Sequence, residues 1–140
     1  MNDTFSKKVE ALLQQFATSC NTTLHLKEGV CALYNTQGHE AAVLEVPDQS
    51  DCLLFHCQLI NAEHQAGQNF YALLLQLNFE MSAMRGCWLA IDENHIVRLC
   101  FQQTISQIDE TSFGNLITGF ITQAEEVREF ITHITEHDVA

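Results

Sequence analysis

Between positions 70 and 79 the chain reads Phe-Tyr-Ala-Leu-Leu-Leu-Gln-Leu-Asn-Phe, which is apolar on nearly every side of a helix. At about 3.6 residues per turn, Phe70, Leu73, Leu74 and Leu77 share one face. Tyr71, Leu75 and, further round, Asn78 and Phe79 line another. A small domain usually covers only one side of such a helix. The second side predicts a subunit interface or a bound partner chain, which puts binding ahead of catalysis.

The rest of the pattern supplies the framework. Phe5, Val9, Leu12, Leu13, Phe16 and Cys20 recur at spacings of three and four, a first helix with Asp3 or Thr4 as its N-cap. Four strands are expected next, over 23–27, 30–35, 41–46 and 52–60. Glu28-Gly29 makes a tight turn after the first, and Pro47 stops the third. The short connections give an antiparallel meander. In 30–35 both alternating sets are largely apolar, with Val30, Ala32 and Tyr34 opposite Cys31 and Leu33. The segment 41–46 repeats this, with Ala42, Leu44 and Val46 opposite Ala41 and Val43. A sheet with one solvated face alternates apolar with polar instead. Either helices cover both faces, or one face receives another chain.

A helix over 67–81 is followed by strands over 87–91 and 95–105, joined at Asp92-Glu93-Asn94. In the longer strand Val97, Leu99, Phe101 and Ile105 face one way, and Arg98 and Gln102 the other. The last helix runs from Asp109, a good N-cap, to about position 136, with Phe113, Leu116, Phe120, Ala124 and Val127 in one stripe. The order α-β-β-β-β-α-β-β-α predicts a single α+β domain over 1–140, a twisted antiparallel sheet flanked by helices.

Charge narrows the partners. Acidic residues outnumber basic ones 18 to 6, for a net charge of -12. Such a surface repels phosphate backbones and anionic membranes, which argues against nucleic acid and membrane insertion. Apolar runs are too short to span a bilayer, and the first eight residues lack the apolar core of a secretory signal. The expected location is the cytoplasm. There the six cysteines read as small, reduced, mostly buried side chains, and the sequon Asn21-Thr22-Thr23 has no meaning.

Catalytic candidates are sparse. Phosphate-binding loops, a nucleophile elbow and a zinc-protease helix are all absent from the sequence. Asp92-Glu93 reads as turn chemistry. His133 and His137 stand four apart, the spacing of two metal ligands on a helix, with no third ligand assured. Cys52 and His56 share a strand face, with Cys57 on the other, but a nucleophile pair also needs contact and an orienting group. The reading is a non-enzyme with no cofactor and no metal. The rival readings are a small enzyme or ligand-binding α+β domain using His and Cys, and a dimeric adaptor for a folded partner.

The segment Leu77-Asn78-Phe79, then Gly86-Cys-Trp-Leu-Ala-Ile-Asp-Glu93, then His95-Ile-Val-Arg-Leu-Cys-Phe101 and the terminal helix carry a resemblance across nearly the whole chain. The sequence resembles the class I chaperones of bacterial type III secretion, the Tir-chaperone-like family. That resemblance implies a cytoplasmic homodimer that binds the N-terminal segments of secreted effectors in extended form and keeps them secretion-competent. It also implies, for some members, delivery to the ATPase at the export gate. By position the dimer interface is expected at Leu73, Leu74, Leu77 and Trp88. Partner binding is expected at Phe5 or Val9 on the first helix and at Leu24, Leu26, Leu33 and Val43 in the sheet. Leu33→Asp is then expected to weaken partner binding and leave the dimer intact.

Overall fold

The computed structural model describes residues 4–63 and 68–138, with the side chains of Gln68 and of 136–138 outside that description. Asp3 and Gly67, expected near helix starts, lie outside the described residues. The first helix, α1, is Thr4–Ser19; β1 (Val30–Tyr34), β2 (Glu40–Glu45) and β3 (Cys52–Asn61) follow. After α2 (Gln68–Phe79) and the single turn α3 (Met81–Met84) come β4 (Trp88–Ile91) and β5 (Ile96–Thr104). A short 3-10 turn, Ile105–Gln107, leads into α4, Glu110–Asp138. The strands form one antiparallel sheet in the order β1-β2-β3-β5-β4, so β1 and β4 are its edges. The expected α+β class is the one observed.

One expected strand is missing. Residues 23–27 make only an isolated bridge, Lys27 with Val30. Their backbone is drawn to α1 instead: Leu26 N–H donates to Glu10 Oε2 at 2.7 Å, and His25 Nδ1 lies 2.8 Å from Glu10 Oε1. Glu28 and Gly29 both take positive φ, 53° and 79°, so the tight turn forms as predicted. Gly29 is obligatory there, because a Cβ would come within 2.8 Å of the Val46 carbonyl oxygen.

The strand registers explain the doubly apolar pattern. Cys31, Leu33, Ala42, Leu44, Phe55 and Leu99 all turn to one face and are buried. Val9, Leu12 and Leu13 of α1 and Phe113, Ile117 and Phe120 of α4 belong to the same core cluster. Phe120 stacks at 5.6 Å from Phe55, and Phe16 meets Phe113 edge-on at 6.3 Å. Asp109 caps α4 through a reciprocal exchange: its Oδ1 accepts from Ser112 N–H at 2.8 Å, and its own N–H donates to Ser112 Oγ at 2.9 Å.

Candidate partner-binding surface

The opposite sheet face carries Ala32, Val43, Leu54, His56, Arg98 and Cys100, with Trp88 and Ala90 of β4 beside them. A groove of ≈ 320 Å³ runs over it, walled by Leu54, Trp88, Ala90 and Cys100 and bounded by His56 and Arg98. Trp88 is 38% exposed, so it serves this surface and not the core. Arg98 anchors the polar margin: its Nε donates to Asp92 Oδ2 at 2.9 Å and its Nη1 lies 3.3 Å from Glu40 Oε1. The same Nη1 sits 3.2 Å from His56 Nδ1, and His56 Nε2 is 3.5 Å from Glu45. The cation is thus matched by carboxylates, and the Arg98 hydrogen bond holds the Asp92 carboxyl below the usual range. Asp92 also accepts from the N–H groups of Asn94 and Ile96, the turn role expected of it.

Helix α2 supplies the second surface. Phe70 is buried, and Leu74 and Leu77 are half-buried against the core. The outward face is equally apolar: Leu75 is 69% and Phe79 77% exposed, with Tyr71 above them and Met81 below. Ile91 of β4 is exposed beside this row, and a cavity of ≈ 170 Å³ lies between Tyr71, Leu75, Ala90 and Ile91. Of the four residues expected at a dimer interface, Leu73 is half-buried, Leu74 and Leu77 lean inward, and Trp88 looks out from the open sheet face. Tyr71, Leu75, Phe79 and Ile91 are the more exposed apolar side chains of this region. Two apolar helix faces carry no sequence signal as to which turns inward.

The expected partner-binding residues divide in the same way. Phe5, Leu24 and Leu26 are half-buried at the margin of the core. Val9 is fully buried, and Leu33, at 8% exposure, lies on the helix-covered face. Val43 faces the other way, paired with Ala32 and His56, and is also buried. The expectation for Leu33→Asp changes accordingly, since that side chain is buried on the helix-covered face.

Of the six thiols, Cys20 is the exposed one. Burial raises the pKa of Cys31, Cys52, Cys57 and Cys100, and pushes the Cys87 thiol up to about 11, with the neighbouring Cys100 adding to it. Cys52 and His56 do share a face, but four residues along a strand separate them by about 13 Å. His133 is exposed on α4, and the His137 side chain lies outside the described residues. Among the described residues no three His, Cys, Asp or Glu side chains gather as a metal-holding group. None of the described helices is long and apolar enough to cross a membrane.

The sheet thus lies beneath helices on one side, with an apolar groove on its bare face and an apolar helix at one edge. The sequence model of the Tir chaperone protein (CesT) family matches residues 11–128, and the chain belongs to that family. No curated protein matches it. Among solved structures, it is similar to a chain of the ExsC–ExsE complex, with TM-score 0.77, 20% identity, and coverage of 90% of this chain and 95% of that one. A chain of the HopA1–SchA chaperone–effector complex matches with TM-score 0.73, 17% identity, and coverage of 92% and 99%. A chain of the heterodimeric ExoU–SpcU complex from the type III secretion system of Pseudomonas aeruginosa matches with TM-score 0.60, 18% identity, and coverage of 89% and 95%. At these identities the likeness is one of fold.

Proposed function

We propose that this protein is a class I type III secretion chaperone, which binds the N-terminal segment of one or more effectors in extended form. It keeps them secretion-competent and helps deliver them to the export apparatus. Family membership over residues 11–128 carries the reading. The HopA1–SchA structure, a chaperone–effector complex, supports it by fold. The bare sheet face gives the physical means, because an extended segment can lay alternate apolar side chains into a groove. Ordering such a segment costs conformational entropy, so a large apolar contact is required to offset it.

In this reading the protein acts by binding, from the cytoplasm, as a homodimer joined through α2 and β4. Tyr71, Leu75, Phe79 and Ile91 form the centre of the interface, with Leu73 and Trp88 at its margin and Leu74 and Leu77 supporting it from below. Phe5, Leu24 and Leu26 offer a second, half-buried margin on the helix-covered side, where Val9 and Leu33 lie in the core, while Val43 belongs to the bare face. Co-expression with N-terminal segments of candidate effectors, followed by limited proteolysis of the complex, tests the reading. Local protection of an extended segment supports it. A partner that resists proteolysis throughout makes the protein an adaptor for a folded chain and overturns it.

A further inference from the structure

Across the bare sheet face the side chains stand in rows. Val43, His56, Cys100 and Trp88 oppose one another over four strands. In the next row Glu45 pairs with Leu54, a wall of the ≈ 320 Å³ groove. A carboxylate thus flanks the apolar groove on the same face, with 42% of its side chain exposed.

Its neighbours leave that charge uncompensated. Arg98 is engaged elsewhere, with Nε on Asp92 and Nη1 shared between Glu40 and His56. A guanidinium can only donate, so His56 Nδ1 accepts from it, and the imidazole is neutral with its one proton on Nε2, toward Glu45. Among the described residues no lysine or arginine comes within ion-pair distance of Glu45. Three carboxylates, Glu40, Glu45 and Asp92, therefore face a single guanidinium along the groove margin. The chain as a whole carries -12, so its field draws basic segments toward this face and repels acidic ones.

We propose that the groove takes an extended effector segment in which an apolar residue, seated between Leu54 and Trp88, is accompanied two positions away by a lysine or arginine that pairs with Glu45. Glu45 lies two strands from Cys100, about 10 Å across the sheet. Same-face residues of an extended chain are about 7 Å apart, and the long stem of a basic side chain spans the remainder. An acidic residue at that place meets an unmatched carboxylate and is rejected. This preference rests on the effector-binding reading above and adds a charge to it.

Trp88 is the only tryptophan in the chain, so its fluorescence reports on the groove itself. The probes are short synthetic peptides of serine around one leucine, differing only in the residue two positions after it: lysine, norleucine or glutamate. At low salt the lysine peptide is expected to bind roughly three- to fivefold more tightly than the norleucine peptide, and the glutamate peptide more weakly than both. High salt should erase the ranking. Glu45→Gln should remove the lysine preference and leave the norleucine peptide unchanged. Glu45→Lys should reverse the ranking in favour of glutamate, which loss of structure alone would not do. Equal binding of the lysine and norleucine peptides, a lysine preference that survives Glu45→Gln, or no response of Trp88 to any of the peptides overturns the proposal. Capture of an effector segment with the same affinity by wild type and Glu45→Gln overturns it too, and leaves the effector reading standing. Failure of the wild-type chain to capture any effector segment, while the lysine peptide binds as described, overturns the effector reading instead and leaves the groove as a site for basic extended peptides.

Discussion

The side-chain amide of Asn78 holds the backbone of Leu89 from both ends: Oδ1 accepts from the Leu89 N–H at 2.6 Å, and Nδ2 donates to the Leu89 carbonyl at 3.2 Å. Leu89 is central in the edge strand β4, and its outward peptide groups would otherwise invite another strand. One amide thus ties α2 to the sheet and occupies the outward peptide groups of Leu89. Asn78→Asp keeps the acceptor but sets a carboxylate against the Leu89 carbonyl. A loss of about 1–3 kcal/mol is expected, read as a lowered midpoint in urea with unchanged slope.

The exposed face of α2 should decide the oligomeric state. The chain has a mass of 15.8 kDa, and light scattering coupled to size exclusion should give about twice that at low micromolar concentration. Phe79→Asp is expected to return the mass to that of one chain without unfolding it, because this ring is 77% exposed. Leu77→Asp should instead destabilise the fold, since that side chain packs against the core. A wild-type monomer would remove the interface.

Leu33→Asp should unfold the chain. The carboxylate would be buried without a partner on the covered face of β1, at a cost of at least about 3 kcal/mol. Leu26→Asp, at the half-buried rim, should leave the fold and the dimer intact and weaken capture of an effector segment. Circular dichroism and pull-down on the two variants separate these outcomes.

Stability should fall on acidification. Burial works to raise the Glu10 pKa, but hydrogen bonds from Leu26, His25 and Gln14 outweigh it and hold the group below its ordinary value. The Asp92 carboxyl is lowered by Arg98, and that of Asp109 by Ser112. A lowered folded pKa gives stability that is complete above the unfolded value, about 4, and is lost as pH drops through the folded one. Melting temperature should therefore hold from pH 7 to about 5 and fall below about 4. Glu10→Gln should reduce stability at neutral pH and flatten that acid decline.

Thiol labelling offers a fifth check. Cys20 is exposed, whereas Cys57 is buried and the Cys87 pKa is pushed up to about 11 by burial. Iodoacetamide at neutral pH should modify Cys20 first and leave Cys57 and Cys87 intact until the chain is unfolded in denaturant.

Helical periodicity and turn residues made α1, α4 and five strands readable, because each strand has neighbours whose pattern agrees with it. The segment 23–27 misled because its alternation is real but its hydrogen bonds go to Glu10, a tertiary partner with no local signal. The orientation of α2 was equally hidden. Phe70 and Leu74 are no more apolar than Tyr71 and Leu75, and only the placement of Asn78 against β4 decides which row faces out. Gln123, buried with its Nε2 on the Ala83 carbonyl at 2.8 Å, gave no sign of itself, since a polar residue beside Ala124 in a helix reads as surface until α3 is seen to pack over it.

Strand β4 is four residues long, and Ala90 and Ile91 belong both to the groove on the open sheet face and to the cavity beneath α2. In the proposed assembly, a chain seated in the groove and a subunit seated on α2 would meet the same two residues from opposite sides. By thermodynamic linkage, whatever factor the first contact contributes to the affinity of the second is returned unchanged in the other direction. Should the proposed subunit and cargo contacts influence each other through Ala90 and Ile91, a titration of either one would report on both.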